Sequence, residues 1–304
     1  MATRCVYLVV AVCVVLAVGS WMDSAAAQQL TFRTGARLVP LYATAIDAQR
    51  RPVSDLTKDD FVIFDNEKHQ DTALFANEVQ PISIVVMLDT SASMTGNLKL
   101  VNQAAEQFLL RLLPQDKALV GAFNDKIEFF PANFTSNRDK LVASLRDLDF
   151  GNPTKLYDAI AASVNRLQTV EGRRVVLVFT DGADTNSSEK DREVLSLAQH
   201  NDVMIYAIGL RSNYFAGSRQ VRSKPDGALK GLAADTGGGY FELDNTTDLT
   251  PTFTKIALEL HTQYVLGFTP PVLDGRLHRI TVRVNRPGVT IRARRNYLAS
   301  SDGN

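Results

Sequence analysis

The chain has 304 residues, 33 Lys and Arg against 33 Asp and Glu, and 45% apolar residues. The balanced charge supplies no field for nucleic acid or anionic lipid, so neither is expected as a partner. The length allows one large domain or two ordinary ones, with enough apolar sequence to bury a core.

Met1 to Arg4 carries one positive charge, Cys5 to Val18 is almost wholly apolar, and Ser24-Ala25-Ala26-Ala27 offers an A-x-A cleavage pattern before Gln28. This is the layout of a secretory signal. Its apolar core of about 14 residues falls short of the roughly 20 that span a bilayer. Residues 1–27 are therefore expected to be removed, leaving an exported chain, periplasmic or extracellular, with no transmembrane span; a retained N-terminal anchor is the alternative. Cys5 and Cys13 both lie inside this segment, so the mature chain has no thiol chemistry and no disulfide. Val12 stands where a lipoprotein box needs a small residue, so lipidation is not expected. The mature chain must be held by its core, and a monomer is expected.

Residues 28–80 read as short strands with turn breaks. Leu38 to Ile46 is apolar and partly alternating, Asp47 to Pro52 breaks it, and Phe61 to Phe64 follows before the turn Asp65-Asn66-Glu67-Lys68. Residues 81–263 change character. Apolar runs at 82–88, 118–123, 175–180 and 203–209, with a weaker one at 239–243, alternate with helical spacing. Leu98, Val101, Ala105, Phe108 and Leu112 share one face, as do Leu156, Ile160, Val164 and Leu167; Val194, Leu197 and Ala198 repeat the pattern. Non-alternating strands separated by helices predict an α/β fold with a mainly parallel sheet covered on both faces. A last helix is predicted from Leu249 to Leu260, with Pro251 in its tolerant first turn.

Residues 212–225 read as an exposed loop. Residues 264–304 return to β structure: Tyr264 to Phe268 is a strand, and Leu277 to Val284 and Val289 to Arg295 alternate about the turn Arg286-Pro287-Gly288, predicting a hairpin with one basic face. The two terminal β segments are expected to share a small sandwich into which the α/β unit is inserted. The clusters Arg173-Arg174 and Arg292-Ala293-Arg294-Arg295 read as solvated faces.

The apolar run 82–88 ends abruptly in Asp89-Thr90-Ser91-Ala92-Ser93. Ligands of an open parallel sheet sit at the carboxyl ends of its strands. Asp181 follows the strand 175–180, and Thr154 opens a helix on a loop that can reach the same edge. Asp89, Ser91, Ser93, Thr154 and Asp181 would thus converge. The set holds no nitrogen or sulfur donor, and oxygen-only ligation selects hard cations, Mg²⁺ first, with Mn²⁺ or Ca²⁺ as alternatives. Taken singly, Ser91, Ser93 or Thr154 is a helix cap and Asp181-Gly182 a turn. Asp89 resists that treatment, because a carboxylate ending so apolar a strand is costly unless paired.

The pattern Asp89-x-Ser91-x-Ser93, Thr154 before Leu156-Tyr157-Asp158-Ala159, and Thr180-Asp181-Gly182 resembles the metal-ion-dependent adhesion site of von Willebrand factor A domains, over residues 81–263. The resemblance implies a Rossmann-like doubly wound fold and adhesion through an acidic residue of a protein partner. It also implies that Ser91, Ser93 and Thr154 ligate a cation directly, while Asp89 and Asp181 act directly or through water. Asp60-Phe61-x-Ile63-x-Asp65-Asn66 and Tyr264-x-Leu266-Gly267-Phe268 further resemble a bacterial exported VWFA-related (Acidobacterial-type) subgroup. A Mg²⁺-dependent phosphatase would also place Asp89 at a first strand end as nucleophile, but needs an acid two residues on, where Ser91 stands. There is no G-x-S-x-G elbow, and the four histidines, His69, His200, His261 and His278, read as surface residues. The chain is expected to be a non-enzymatic binding protein. An envelope scaffold with a structural metal is the further alternative.

Overall fold

The computed structural model describes residues 38–300 except 150, 212 and 217. The expected signal, residues 1–27, the start of the N-terminal β segment and residues 301–304 lie outside the described residues. In chain order the strands before the first helix are Val39–Ile46 (β1), Phe61–Asp65 (β2), Lys68–Gln70 (β3), Leu74–Ala76 (β4) and Ile82–Asp89 (β5). Then come Leu98–Leu110 (α1), Lys117–Phe123 (β6), Ile127–Thr135 (β7), Arg138–Ser144 (α2), Leu156–Leu167 (α3), Arg173–Thr180 (β8), Asp191–His200 (α4) and Val203–Leu210 (β9). Asn213–Ala216 (β10), Arg219–Arg222 (β11), Leu229–Thr236 (α5), Tyr240–Leu243 (β12) and Leu249–His261 (α6) follow. The chain closes with Tyr264–Phe268 (β13), Leu277–Val284 (β14), Thr290–Arg292 (β15) and Asn296–Leu298 (β16).

The central sheet has the order β12-β9-β8-β5-β6-β7, parallel except for β7, which runs antiparallel on the edge. Alternate residues of β5 serve opposite faces. Ile84, Val86 and Leu88 pack with Phe108 of α1 and with Phe253 and Ile256 of α6. Val85 and Met87 pack with Ile160 and Val164 of α3 and Val194 of α4. Both faces are therefore covered, which is why the strand reads as a continuous apolar run. In register, Asp89 lies opposite Phe123 and Leu88 opposite Phe179, so Asp89 and Thr180 end at the same height of the carboxyl edge.

The terminal strands form two antiparallel sheets, ordered β15-β1-β13-β4 and β16-β14-β2-β3, each mixing strands from before and after the α/β unit. Leu41, Ile63, Leu266, Phe268, Ile280 and Tyr297 form their common core.

Several expectations are corrected. The segment read as an exposed loop at 212–225 contains the hairpin β10–β11. The basic hairpin at 277–295 does not form: β14 pairs with β2 and β16, whereas β15 pairs with β1 in the other sheet. Alternation fixes which face of a strand is buried and leaves its partner open, so both segments keep their pattern on different sheets. Apart from Arg295, which is exposed, the arginine clusters are not solvated faces. Arg173 is buried, donates to Leu260 O at 2.8 Å and to Gln263, and stacks over the Tyr42 ring. Arg292 pairs with the buried Glu259 of α6. Two histidines are not surface residues either: His278 Nδ1 lies 2.9 Å from the buried Asp65 and its Nε2 3.1 Å from Asp274, and His261 Nε2 lies 2.7 Å from Asp116.

Candidate metal centre

β5 delivers the first group. Asp89 is 0% exposed, and its two oxygens accept from Ser91 N–H at 2.8 Å and from Thr180 Oγ1 at 2.6 Å. The first of these bonds is an Asx turn, which bends the chain out of the sheet just past the strand. Thr90 is fixed below it: its N–H donates to Phe123 O at 3.0 Å and its hydroxyl accepts from Asn124 Nδ2 at 3.0 Å.

Ser91 precedes a single 3₁₀ turn over Ala92–Met94 but makes no capping bond with its side chain. Its hydroxyl instead lies 3.2 Å from Ser93 Oγ, and Ser93 Oγ donates to Asp181 Oδ1 at 2.7 Å. The helix-cap reading of these two serines is thereby set aside. Thr154 is not a cap either. The N-terminus of α3 is served from another loop, where Asp184 Oδ1 accepts from Leu156 N–H at 2.8 Å and Ser187 Oγ accepts from Asp158 N–H at 3.0 Å. The Thr154 backbone is clamped by Thr185, with Thr154 N–H donating to Thr185 Oγ1 at 3.0 Å and Thr185 N–H to Thr154 O at 3.0 Å. Its own hydroxyl makes no hydrogen bond among the described residues.

The structure thus links Ser91, Ser93 and Asp181 in one hydrogen-bonded chain and sets Asp89 against its base. Ser91, Ser93 and Thr154 together line an open cleft of about 870 Å³. The two carboxylates lie behind the hydroxyls, both 0% exposed. Burial pushes Asp89 up to about 6; the bonds from Ser91 and Thr180 work against that rise and the nearby Asp181 charge adds to it. No basic side chain pairs with Asp89 among the described residues. The donor set of two carboxylates and three hydroxyls, with no imidazole or thiol, fits a hard divalent cation. Such an ion would supply the positive charge that Asp89 lacks.

Thr180, Asp184 and Asp226 also build the centre and were missed as site residues by sequence reasoning. Thr180 carried a usable signal, since it immediately precedes Asp181 at the strand end. Asp184 and Asp226 act across the fold. Tyr157 OH donates to Asp226 Oδ1 at 2.9 Å and Asp184 N–H to Asp226 Oδ2 at 3.2 Å, and no local pattern announces either bond.

Fold and donor set together define an open-sheet α/β domain with an oxygen-only centre at its carboxyl edge. The von Willebrand factor type A domain model matches residues 83–255, and the chain belongs to that family. Domains of this fold commonly use a metal-ion-dependent adhesion site for protein interactions. Among solved structures, the von Willebrand factor type A protein from Catenulispora acidiphila is similar at 12% identity and a TM-score of 0.53, over 90% of this chain and 78% of that one. Proximal thread matrix protein 1 from the mussel byssus, with a zinc occupied MIDAS motif, is similar at 16% identity and a TM-score of 0.51, over 63% of this chain and 48% of that one. These likenesses show the fold. Among curated proteins no match is found.

Proposed function

We propose that the chain is a binding protein in which Asp89, Ser91, Ser93, Thr154 and Asp181 hold a divalent cation that captures a carboxylate of a protein partner. The observation that carries this reading is the Ser91–Ser93–Asp181 chain facing an open cleft, with the buried Asp89 behind it, hydrogen-bonded but with no basic partner among the described residues. Two carboxylates and three neutral hydroxyls leave a cation able to accept an outside carboxylate. Mg²⁺ is the first choice and Mn²⁺ or Ca²⁺ the alternatives. The zinc occupied motif of the mussel protein makes zinc the fourth ion to include in competition.

The reading is non-enzymatic. Ser91, not an acid, stands two residues after Asp89, and none of the four histidines lines the cleft. His261 and His278 are engaged by carboxylates elsewhere. Export belongs to the same proposal, supported by the apolar segment and the A-x-A pattern before Gln28. No helix among the described residues is long and apolar enough to cross a membrane.

Affinity capture from an envelope extract tests the function. A partner retained in Mg²⁺, released by chelator and absent from an Asp89→Ala column is the expected result. A partner held equally well in chelator would contradict it.

A further inference from the structure

We propose that the hairpin β10–β11 and the segment after it form a cationic wall of the cleft that reads a second carboxylate on the partner. The ligand recognised is then a stretch with at least two neighbouring acidic residues, not one isolated glutamate or aspartate. The proposal rests on the reading of the site as a cation centre.

The cleft is bounded by four segments. Three of them, the Ser91 turn, the Thr154 loop and the Gly182 loop, present only uncharged side chains to it. The fourth presents Asn213, Arg222, Ser223 and Lys224. All the positive charge of the cleft lining therefore lies on one side. Arg222 is partly neutralised: its Nη2 lies 2.7 Å from Asp244, a carboxylate that Arg211 also approaches at 3.7 Å. Lys224 is exposed and pairs with no carboxylate among the described residues.

Lys224 is also held in place by its neighbours. On one side Arg222 is tied to Asp244 and the Ser223 hydroxyl donates to Leu210 O at 3.3 Å, fixing the base of the hairpin to the end of β9. On the other side Asp226 N–H donates to Gly182 O at 3.1 Å, and the Asp226 carboxylate accepts from Tyr157 and Asp184. These bonds join the segment to the loop that carries Asp181. The ammonium is thus supplied from a backbone anchored at both ends to the frame of the cation centre. A carboxylate next to the one captured by the cation would meet this charge, and a basic neighbour would be repelled by it.

The test uses fluorescein-labelled Gly-Ser peptides carrying one glutamate or a run of three, followed by anisotropy in Mg²⁺. Native protein is compared with Lys224→Ala and Lys224→Glu, and Mn²⁺ binding is measured on the same samples by electron paramagnetic resonance. The preference for the three-glutamate peptide is expected to fall about three- to five-fold in Lys224→Ala, the effect of one exposed ion pair, and further in Lys224→Glu. Mn²⁺ binding should stay unchanged in both variants. A preference that survives Lys224→Glu overturns the proposal, as does failure of both peptides to bind protein that holds Mn²⁺; in either case the cation centre stands. Failure of native protein to bind Mn²⁺ overturns the cation centre and the proposal with it.

Discussion

Asp89 sets the chemistry of the centre because its charge is buried before any cation arrives. Its folded-state value near 6 lies above the ordinary carboxylate value of 3.8, and desolvation is the main cause. A group raised in this way is better accommodated protonated. Without a cation its ionisation therefore costs nothing below about pH 4 and carries the full penalty above about pH 6, which amounts to about 3 kcal/mol. Asp89→Asn keeps an oxygen for Ser91 N–H and removes the charge. In chelator, the variant's stability relative to native protein is expected to rise by about that amount between pH 4 and pH 7, read from urea unfolding at several pH values. A pH-independent difference would show that Asp89 carries no such burden. The residue was legible in the sequence as an ionisable group ending an apolar strand. Its partner Thr180 was marked only by its place before Asp181; the bond from Thr180 to Asp89 was not legible, because pairing across two neighbouring strands depends on register, which a single strand's pattern does not fix.

Among the elements, the strands buried on both faces and the helices with clear apolar faces were legible, and the partly covered pieces were not. β7 carries Pro131 and alternates weakly because it lies on the sheet edge, where proline is tolerated and burial is incomplete. Helices α2 and α5 have only 7 and 8 residues, too short for a periodic pattern to emerge. The run Gly237-Gly238-Gly239, which offers no helix N-terminus to an anion, has a packing role. Gly237 has a φ of +84° at the end of α5, and a Cβ there would lie 2.5 Å from Arg294 N. A Cβ on Gly238 would lie 1.9 Å from Ile205 O. Gly238→Ala must therefore push the turn away from β9, and is expected to destabilise the protein by about 3 kcal/mol, the upper end of ordinary overpacking. Thermal and urea unfolding check this, and a variant as stable as native would mean that the turn yields without strain.

At the scale of the molecule, the last helix of the α/β unit is tied to the flanking sheets by buried polar groups. Glu259 is 1% exposed and pairs with Arg292 of β15, Gln263 Nε2 donates to Thr44 Oγ1 of β1 at 2.8 Å, and Arg173 reaches both Leu260 O and Gln263. Removing one partner of such a pair strands the other's charge. Glu259→Gln is expected to cost about 3 kcal/mol, and Glu259→Leu with Arg292→Met to recover most of it. Urea unfolding of the single and double variants measures this, and a double variant no better than Glu259→Gln would mean that the pair is not the source of the loss. The two terminal β segments were legible from their alternation and turn breaks, and they share one core as expected. The buried pairs were hidden because arginines on an alternating strand look the same whether water or a carboxylate faces them. The proposed function requires a bound cation, and Mn²⁺ binding measured by electron paramagnetic resonance on native protein, Asp89→Ala and Ser93→Ala tests that most directly. One Mn²⁺ per chain, displaced by Mg²⁺, lost in Asp89→Ala and weakened in Ser93→Ala is the predicted result; no binding by native protein, or equal binding by all three, would contradict it.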